Sequence, residues 1–210
     1  MANWRYVDFS VKEAQWLADL ASIQSDLETV ESICDLFIKE RQSPDPFGES
    51  KQFVLFEALC TSAIVRYGRS FVSGVREKVP DALVEKLSQE HQSSHVFFMD
   101  LRHKWVAHSV NTFEFTQVVA YLTPPERGPK SVSSISALPN RIASLSIQDM
   151  LRLKELAVAV HEIVNKQIEE ETRKILSYAR SLPPDQFYAK GNPPAKIAGD
   201  KDAGKRRKKW

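Results

Sequence analysis

One short stretch of the sequence combines the side chains that bind phosphates and move protons. The ten residues from Asp100 to Ser109 read Asp-Leu-Arg-His-Lys-Trp-Val-Ala-His-Ser and hold an arginine, a lysine, two histidines and an aspartate. A guanidinium can bind two phosphate oxygens at once, and an imidazole exchanges a proton near pH 7. Apolar residues on both sides predict that the cluster lies close to the core, where charge is costly without a purpose. We therefore interpret it as an active or binding site.

Arg102 and His108 are the two candidate catalytic residues in this stretch. They are six positions apart, so a regular helix would place them about 120° apart around its axis. They could meet if the helix ends or loosens near Val106, or if two copies of the chain face each other across a two-fold axis. The alternative is a surface arginine and a histidine at the negative end of a helix. Spacing alone favours that simpler interpretation.

The segments before the cluster are predicted to be helical. Ser10 and Glu13 match a capping box, and an apolar stripe at helical spacing follows them. The turn-forming residues 43–48 end this first helix. A more exposed helix is expected over residues 81–94, and helix again up to about residue 107. The stripe consists of Trp16, Leu20, Ile23, Leu27, Val30, Cys34 and Phe37.

The second helix, predicted over residues 49–78, is apolar around most of its circumference. Phe53 and Val75 are expected on its buried face. Arg66 and Arg69 stand out in so apolar a helix, because a charged side chain there needs a partner or solvent. Either both are surface arginines whose aliphatic stems pack on the core, or one of them reaches the cluster at residues 100–109. We name Arg69 as the candidate substrate-binding residue.

The chain after the cluster is predicted to form a β-hairpin or an irregular excursion that lies on the helices. β-Branched and aromatic residues dominate over 112–122 and alternate over 131–136, with a proline-rich loop between them. A capping box at Ser146 then begins a last long helix that ends before residue 183. The predicted fold class is all-α, an up-and-down bundle of four to five helices. A small β-hairpin or irregular insertion at about 110–140 precedes the last long helix.

Length and charge predict one folded domain with a tail. The 210 residues are 42% hydrophobic and 27% charged, as in ordinary globular proteins. We expect a helical domain over residues 1–182 and a disordered tail over 183–210, whose eight basic and three acidic residues give +5 against −3 for the rest. This tail could bind nucleic acid non-specifically or serve only solubility. No segment is apolar enough to predict a signal peptide or a membrane span, so a cytoplasmic protein is expected.

The cysteines and the closely spaced histidines are not expected to bind a metal. Cys34 and Cys60 are the two cysteines, and both fall on apolar helical faces, which predicts buried, reduced thiols. His91 and His95 share a predicted helical face but have no third ligand nearby in sequence, so we expect a solvated polar face. The sequence also contains no glycine-rich phosphate loop. We therefore expect neither a metal nor a cofactor.

Residues 102–108, Arg-His-Lys-Trp-Val-Ala-His, resemble the signature of the HEPN superfamily (higher eukaryote and prokaryote nucleotide-binding proteins), an arginine followed a few residues later by a histidine. The stretch 100–109 resembles the form Leu-Arg-x-Lys-x-x-Ala-His-Ser of many bacterial members, some of them tied to abortive phage infection. The order of predicted elements over residues 10–182 agrees with this resemblance. It implies a HEPN-like helical bundle that dimerises with two motifs facing each other.

The resemblance also implies a function, because many active members are metal-independent endoribonucleases. Arg102 would then hold the scissile phosphate, and His108 would act as acid and base on the 2′-hydroxyl or the leaving oxygen. His103, Lys104 and Arg69 would bind or position the substrate. The implied partners are RNA, a second copy of the chain and, for a toxin or phage-defence effector, an antitoxin protein. The alternative is a non-catalytic module that binds a nucleotide or a protein.

Overall fold

The structure is a computed structural model that describes residues 6–43, 49–72, 74–106, 114–141, 144–191, 199–202 and 204–205. Its elements, in chain order, are α1 (Gln15–Gln42), α2 (Glu49–Arg69), α3 (Asp81–Val84), α4 (Gln89–Leu101), β1 (Glu114–Leu122), β2 (Val132–Arg141), α5 (Ile147–Ser181) and α6 (Asp185–Tyr188). A π-helical turn, Arg102–Val106, follows α4 directly. Of the turn predicted at residues 43–48, Ser43 follows the end of α1 and residues 44–48 lie outside the described residues.

The predicted all-α class with four to five helices is wrong. The described residues contain six α-helices, two of them only four residues long, and an antiparallel sheet of two strands. The strands of 9 and 10 residues form an antiparallel β-hairpin and not an irregular excursion, the other predicted alternative. The architecture is therefore a helical bundle that carries a β-hairpin before its last long helix.

The core lies mainly between α1, α2 and α5. The predicted stripe of α1 is confirmed, since six of its members are completely buried and Trp16 is partly buried against them. α5 runs along α1 and buries one face of its first half. The core residues of α5 are Met150, Leu153, Leu156, Ala157, Val160 and Val164.

The two predicted capping boxes have different outcomes. Ser10 bonds the Asp8 carboxylate through both its hydroxyl and its backbone amide, so it caps no helix, and a 3-10 turn at Lys12–Ala14 precedes α1. A nearby carboxylate is a competing partner for a serine near a helix start. The box at Ser146 is confirmed, because its hydroxyl accepts the Asp149 amide at 3.1 Å and the Asp149 carboxylate accepts the Ser146 amide at 3.3 Å.

α2 ends at Arg69, nine residues before the predicted end. Two buried aspartates of α1 bind the loop that follows it. The Asp19 carboxylate accepts a hydrogen bond from the backbone amide of Glu77 at 3.1 Å. The Asp26 carboxylate accepts one from the guanidinium of Arg76 at 2.8 Å. Burying a carboxylate requires such partners, so these contacts hold the chain in a loop where local pattern predicts a helix.

Three further helix predictions are wrong in detail. Val75 lies in the loop after α2 and is exposed, and Phe53 is exposed within α2. The single helix predicted over residues 81–94 is split into α3 and the start of α4. The Ser88 hydroxyl accepts the His91 amide at 3.2 Å and so begins a new helix there.

The hairpin projects from the bundle, so the prediction that it lies on the helices is wrong. β1 and β2 pair with Tyr121 opposite Ser134, and a bulge follows. Val118 and Ile135 are 69% and 70% exposed, and no described side chain of either strand is buried. Cross-strand pairing, and not packing on helices, therefore organises this segment.

The first residues of the predicted tail lie against the N-terminal segment. Phe187 of α6 packs on Phe9 with ring centroids 5.4 Å apart, and Lys190 Nζ donates to the Asp8 carbonyl oxygen at 3.1 Å. The domain boundary at residue 183 and the disorder of the tail stay predictions. The basic residues 206–209 lie outside the described residues.

Cys34 and Cys60 are buried and free, as predicted. Burial raises the pKa of the Cys34 thiol to about 12 and that of Cys60 to about 11. Both thiols therefore stay protonated near neutral pH, where only the thiolate reacts readily. Among the described helices, none has the length and apolar character needed to cross a membrane.

Leu156→Ala should lower the free energy of unfolding by about 2–5 kcal/mol, because it leaves a cavity among completely buried side chains of α5. Leu176→Ala is the matched control, the same change on the same helix at a side chain that is 46% exposed. Urea unfolding followed by circular dichroism measures both losses. Equal losses at the two positions would contradict this placement of the core.

Candidate functional site

Arg102, His103 and Lys104 lie on the π-helical turn after α4. Leu101 and Trp105 are buried on either side of them and anchor the turn in the core, as predicted for this cluster. π-Helical turns next to α-helices are frequent at functional sites. The helix therefore loosens, as one of the two predicted geometries requires, but it does so at Arg102 itself.

His108, the second candidate catalytic residue, lies outside the described residues. The described chain stops at Val106 and resumes at Glu114, where β1 begins. The convergence of His108 with Arg102, within one chain or between two copies, therefore stays a prediction.

The stem of Arg102 lies directly against α2 at Gly68. A β-carbon at Gly68 would come within 2.8 Å of Arg102 Cγ and 3.4 Å of its Cδ. Carbon atoms do not approach each other as closely as 2.8 Å, so glycine leaves the room that this arginine occupies. The sequence pattern alone indicated no role for Gly68.

The guanidinium of Arg102 is oriented by its neighbour. Its Nη1 lies 3.0 Å from His103 Nδ1. Arginine only donates hydrogen bonds, so Nδ1 accepts, and a neutral His103 carries its proton on Nε2. Arg102 is half-buried and His103 is exposed. Within the described part of the chain this is the one partner of the guanidinium, and its other N–H groups remain available to an anion.

Lys104 is paired with a carboxylate at the same turn. Its Nζ lies 3.1 Å from the Asp100 carboxylate, one helical turn earlier, and both side chains are more than half exposed. Such exposed pairs contribute about 0.3–0.5 kcal/mol, so solvent or a competing anion replaces them readily. Lys104 can therefore add positive charge to this surface, but its exposed pair with Asp100 does not hold it in one position.

Arg69 belongs to a second group of charges, which we call the Asp26 cluster: Asp26, Arg66, Arg69 and Arg76. Arg76 Nη1 lies 2.8 Å and Arg69 Nε 3.8 Å from one carboxylate oxygen of Asp26, and Arg66 Nη1 lies 3.1 Å from the other. The carboxylate is buried and the Arg76 side chain is only 11% exposed, whereas the side chains of Arg66 and Arg69 are 39% and 55% exposed. The expectation that Arg66 and Arg69 are ordinary surface arginines misses this shared anchor.

The two groups adjoin through Gly68. Arg102 packs on this glycine, and Arg69 is the next residue of α2. Consecutive Cα atoms are about 3.8 Å apart, so the backbone of Arg69 lies beside the stem of Arg102. The structure thus brings Arg102, His103 and the backbone of Arg69 to one region, at the junction of α2 with the π-helical turn.

Sequence reasoning missed Asp26 and Arg76. One signal was available for Asp26, because it lies three residues after Ile23 and four before Val30, beside the apolar stripe. A carboxylate in that position needs a buried partner. No local pattern could identify Arg76 as that partner, since it is 50 residues away in the sequence.

We expected His95 to lie on a solvated polar face, and this prediction is wrong. Its Nδ1 is 2.8 Å from the Tyr67 hydroxyl, and its ring centroid is 4.5 Å from that of Phe71. Burial lowers the pKa of His95 and raises that of Tyr67 far above its ordinary value. Both groups are therefore neutral near pH 7 and pack as part of the bundle. Among the described residues, no three His, Cys, Asp or Glu side chains are grouped so that they could hold a metal.

Comparisons with known proteins identify no relative. No family model, curated protein or solved structure matches this chain. The resemblance to the HEPN superfamily therefore depends on residues 100–109, and what it implies is a set of hypotheses.

Gly68→Ala should destabilise the protein while Arg102 is present, because the new methyl group collides with the arginine stem. In an Arg102→Ala background the same substitution should cost less or nothing. The difference is a coupling energy of about 0.5–3 kcal/mol, as found for residues in contact. Chemical unfolding of the wild type, the two single variants and the double variant measures it. Additive effects would contradict the contact.

His95→Gln should flatten the dependence of stability on pH. Burial lowers the pKa of His95 in the folded state, so below the ordinary value of 6.5 the unfolded state binds more protons. Its contribution is complete above that value and is lost as the pH falls toward the lowered pKa. Between about pH 7 and pH 5 the wild type should lose more stability than the variant, with a limit of about 1.4 kcal/mol per pH unit. Urea unfolding over this range measures both curves, and parallel curves would count against this role.

Proposed function

We propose that this protein is a metal-independent endoribonuclease of the HEPN type. The observation that supports the proposal most directly is the placement of Arg102. Its stem is confined by Gly68, one N–H bonds His103, and its remaining donors are available at the surface. A guanidinium held in this way is suited to bind a phosphate through two oxygens and to stabilise the charge that develops there.

The reaction needs one cation and at least one group that exchanges protons. The 2′-hydroxyl of the RNA loses its proton, its oxygen attacks the adjacent phosphorus, and the bond to the 5′-oxygen breaks. The leaving oxygen takes up a proton, and the products are a 2′,3′-cyclic phosphate and a free 5′-hydroxyl. In this proposal Arg102 binds the phosphate and His108 transfers the protons. His103 orients Arg102 through Nδ1 and offers Nε2–H to the substrate.

Three further features belong to the same proposal. The cleft is composed of two copies of the chain, as the resemblance to the HEPN superfamily implies. The enzyme works in the cytoplasm, where its RNA substrates are. As a toxin or phage-defence effector, it would be held inactive by an antitoxin protein.

The second candidate is a non-catalytic HEPN-type module that binds a nucleotide or a protein. One contact favours it. His103 Nδ1 is occupied by Arg102, so among the described residues of the turn His103 offers a donor, Nε2–H, and not a base. Arg102 could then bind a phosphate group without any reaction. In that case a nucleotide should raise the melting temperature of the wild type and not that of Arg102→Ala, with no RNA turnover.

Cleavage of RNA in the presence of EDTA tests the endoribonuclease proposal. Arg102→Ala and His108→Ala should each reduce the rate by at least about 100-fold, because each removes a group that acts on the transition state. Arg173→Ala is the matched control, since it removes an exposed arginine of α5 and should leave the rate unchanged. Mass spectrometry should find cyclic phosphate ends.

Two outcomes would contradict the proposal. Cleavage that persists unchanged in both variants would come from a contaminating nuclease. Cleavage of a strand with 2′-deoxy sugars at the cut site would exclude attack by the 2′-hydroxyl. Light scattering of the active fraction tests the composite cleft, and full activity in a monomer would contradict it.

A further inference from the structure

The Asp26 cluster holds more positive charge than its own carboxylate can neutralise. Three guanidinium groups surround one carboxylate, which leaves two unbalanced positive charges. Arg76 is the internal partner, because its side chain is only 11% exposed and also donates to the Ser22 hydroxyl at 3.0 Å and to the Arg69 carbonyl oxygen at 2.9 Å. The surplus charge therefore belongs to Arg66 and Arg69.

Arg66 and Arg69 retain most of their hydrogen-bonding capacity. Arg66 gives one hydrogen bond, to Asp26, and Arg69 lies 3.8 Å from the carboxylate, within ion-pair range but beyond a hydrogen bond. Over the described ranges of the chain these two arginines have no other partner. Each guanidinium has five N–H donors. Arg66 and Arg69 are three residues apart, so their guanidinium groups extend from the same face of α2.

Asp19, the other buried carboxylate of α1, is occupied elsewhere. It lies two helical turns before Asp26, and its oxygens accept hydrogen bonds from the amide of Glu77 and the side chain of Gln15. Asp26 holds Arg66 by a hydrogen bond and keeps Arg69 within ion-pair range, without cancelling their charge. The hydrogen bond orders the Arg66 side chain before an anion binds, which lowers the conformational entropy lost on binding.

We propose that Arg66 and Arg69, held by Asp26, form a second phosphate-binding position for single-stranded RNA. Each of the two arginines contacts one backbone phosphate of a strand that Arg102 also holds. Gly68 links the two positions, since it carries the Arg102 stem on one side and precedes Arg69 in α2. RNA has one phosphate per nucleotide, so a strand bound at Arg102 presents further phosphates to nearby cations. This inference rests on the proposed function for its choice of ligand.

The dependence of RNA binding on salt tests this position directly. The probe is a short single-stranded 2′-O-methyl oligoribonucleotide, which lacks the attacking hydroxyl and stays intact. For a single strand, each phosphate contact adds about 0.7 to the slope of log affinity against log salt. Arg66→Ala and Arg69→Ala should each reduce that slope by about 0.7 and weaken binding about fivefold near 0.1 M salt. Fluorescence anisotropy of the labelled probe with the full chain measures both quantities.

Two sets of control variants separate charge from fold. Arg66→Lys and Arg69→Lys keep a cation beside Asp26 and should keep the wild-type slope. Arg173→Ala removes an exposed arginine from α5 and should also keep it. Asp26 retains Arg76 at 2.8 Å in all of these variants, so each should fold, and circular dichroism checks this.

The proposed phosphate-binding position is wrong if the slope of log affinity against log salt stays at its wild-type value in both Arg66→Ala and Arg69→Ala. An equal fall in Arg173→Ala would also overturn it, because binding would then be spread over the whole surface. If the slopes fall as expected but native RNA is not cleaved, the phosphate position stands and the endoribonuclease proposal fails. If native RNA is cleaved in an Arg102-dependent way but the slopes do not change, only the second position is wrong.

Discussion

A carboxylate buried in the middle of α1 controls the geometry of the whole region. Asp26 is removed from water, and a buried charge is tolerated only when hydrogen-bonded partners replace its hydration. Arg76, whose side chain is only 11% exposed, holds the loop after α2 against α1. This loop begins directly after Gly68 and Arg69, the last residues of α2. The arginine and histidine of the candidate site are presented by elements that Asp26 keeps in register.

The contact between Gly68 of α2 and the Arg102 side chain then positions the π-helical turn against α2. Gly68 admits the stem of Arg102 where any larger residue would displace it. Leu101 and Trp105 hold the turn in the core on either side of the charged residues. Arg102 is thus confined along most of its length, and only its guanidinium remains free to bind a ligand. Confinement of this kind lowers the entropy lost on binding.

The positive charge of the candidate site is local. Residues 1–182 carry a net charge of −3, so the body of the chain has no surplus of basic residues to attract a polyanion. Affinity for RNA would have to come from Arg102 and the surplus charge of the Asp26 cluster, or from the tail. A site that depends on a few oriented guanidinium groups selects by geometry. The tail would instead attract any nucleic acid, with a strong dependence on salt.

Local patterns in the amino-acid sequence were sufficient for the stripe of α1, the cap of α5, the pairing of two strands and the burial of both cysteines. Each depends on side-chain periodicity or on hydrogen bonds between neighbours, which a short window of sequence contains. A short window of sequence was also sufficient to identify Arg102 and His103 as candidate site residues, because their side-chain types alone indicate phosphate binding and proton exchange.

The early end of α2, the exposed hairpin and the partners of Asp26 could not be predicted from such windows. They depend on residues that are far apart in the chain, such as Asp26 with Arg66 and Arg76, at separations of 40 and 50 positions. A carboxylate beside an apolar stripe indicates that some cation is needed. Only the packing of α1 against α2 and its following loop selects which arginines supply it, because burial and distance are properties of the folded chain.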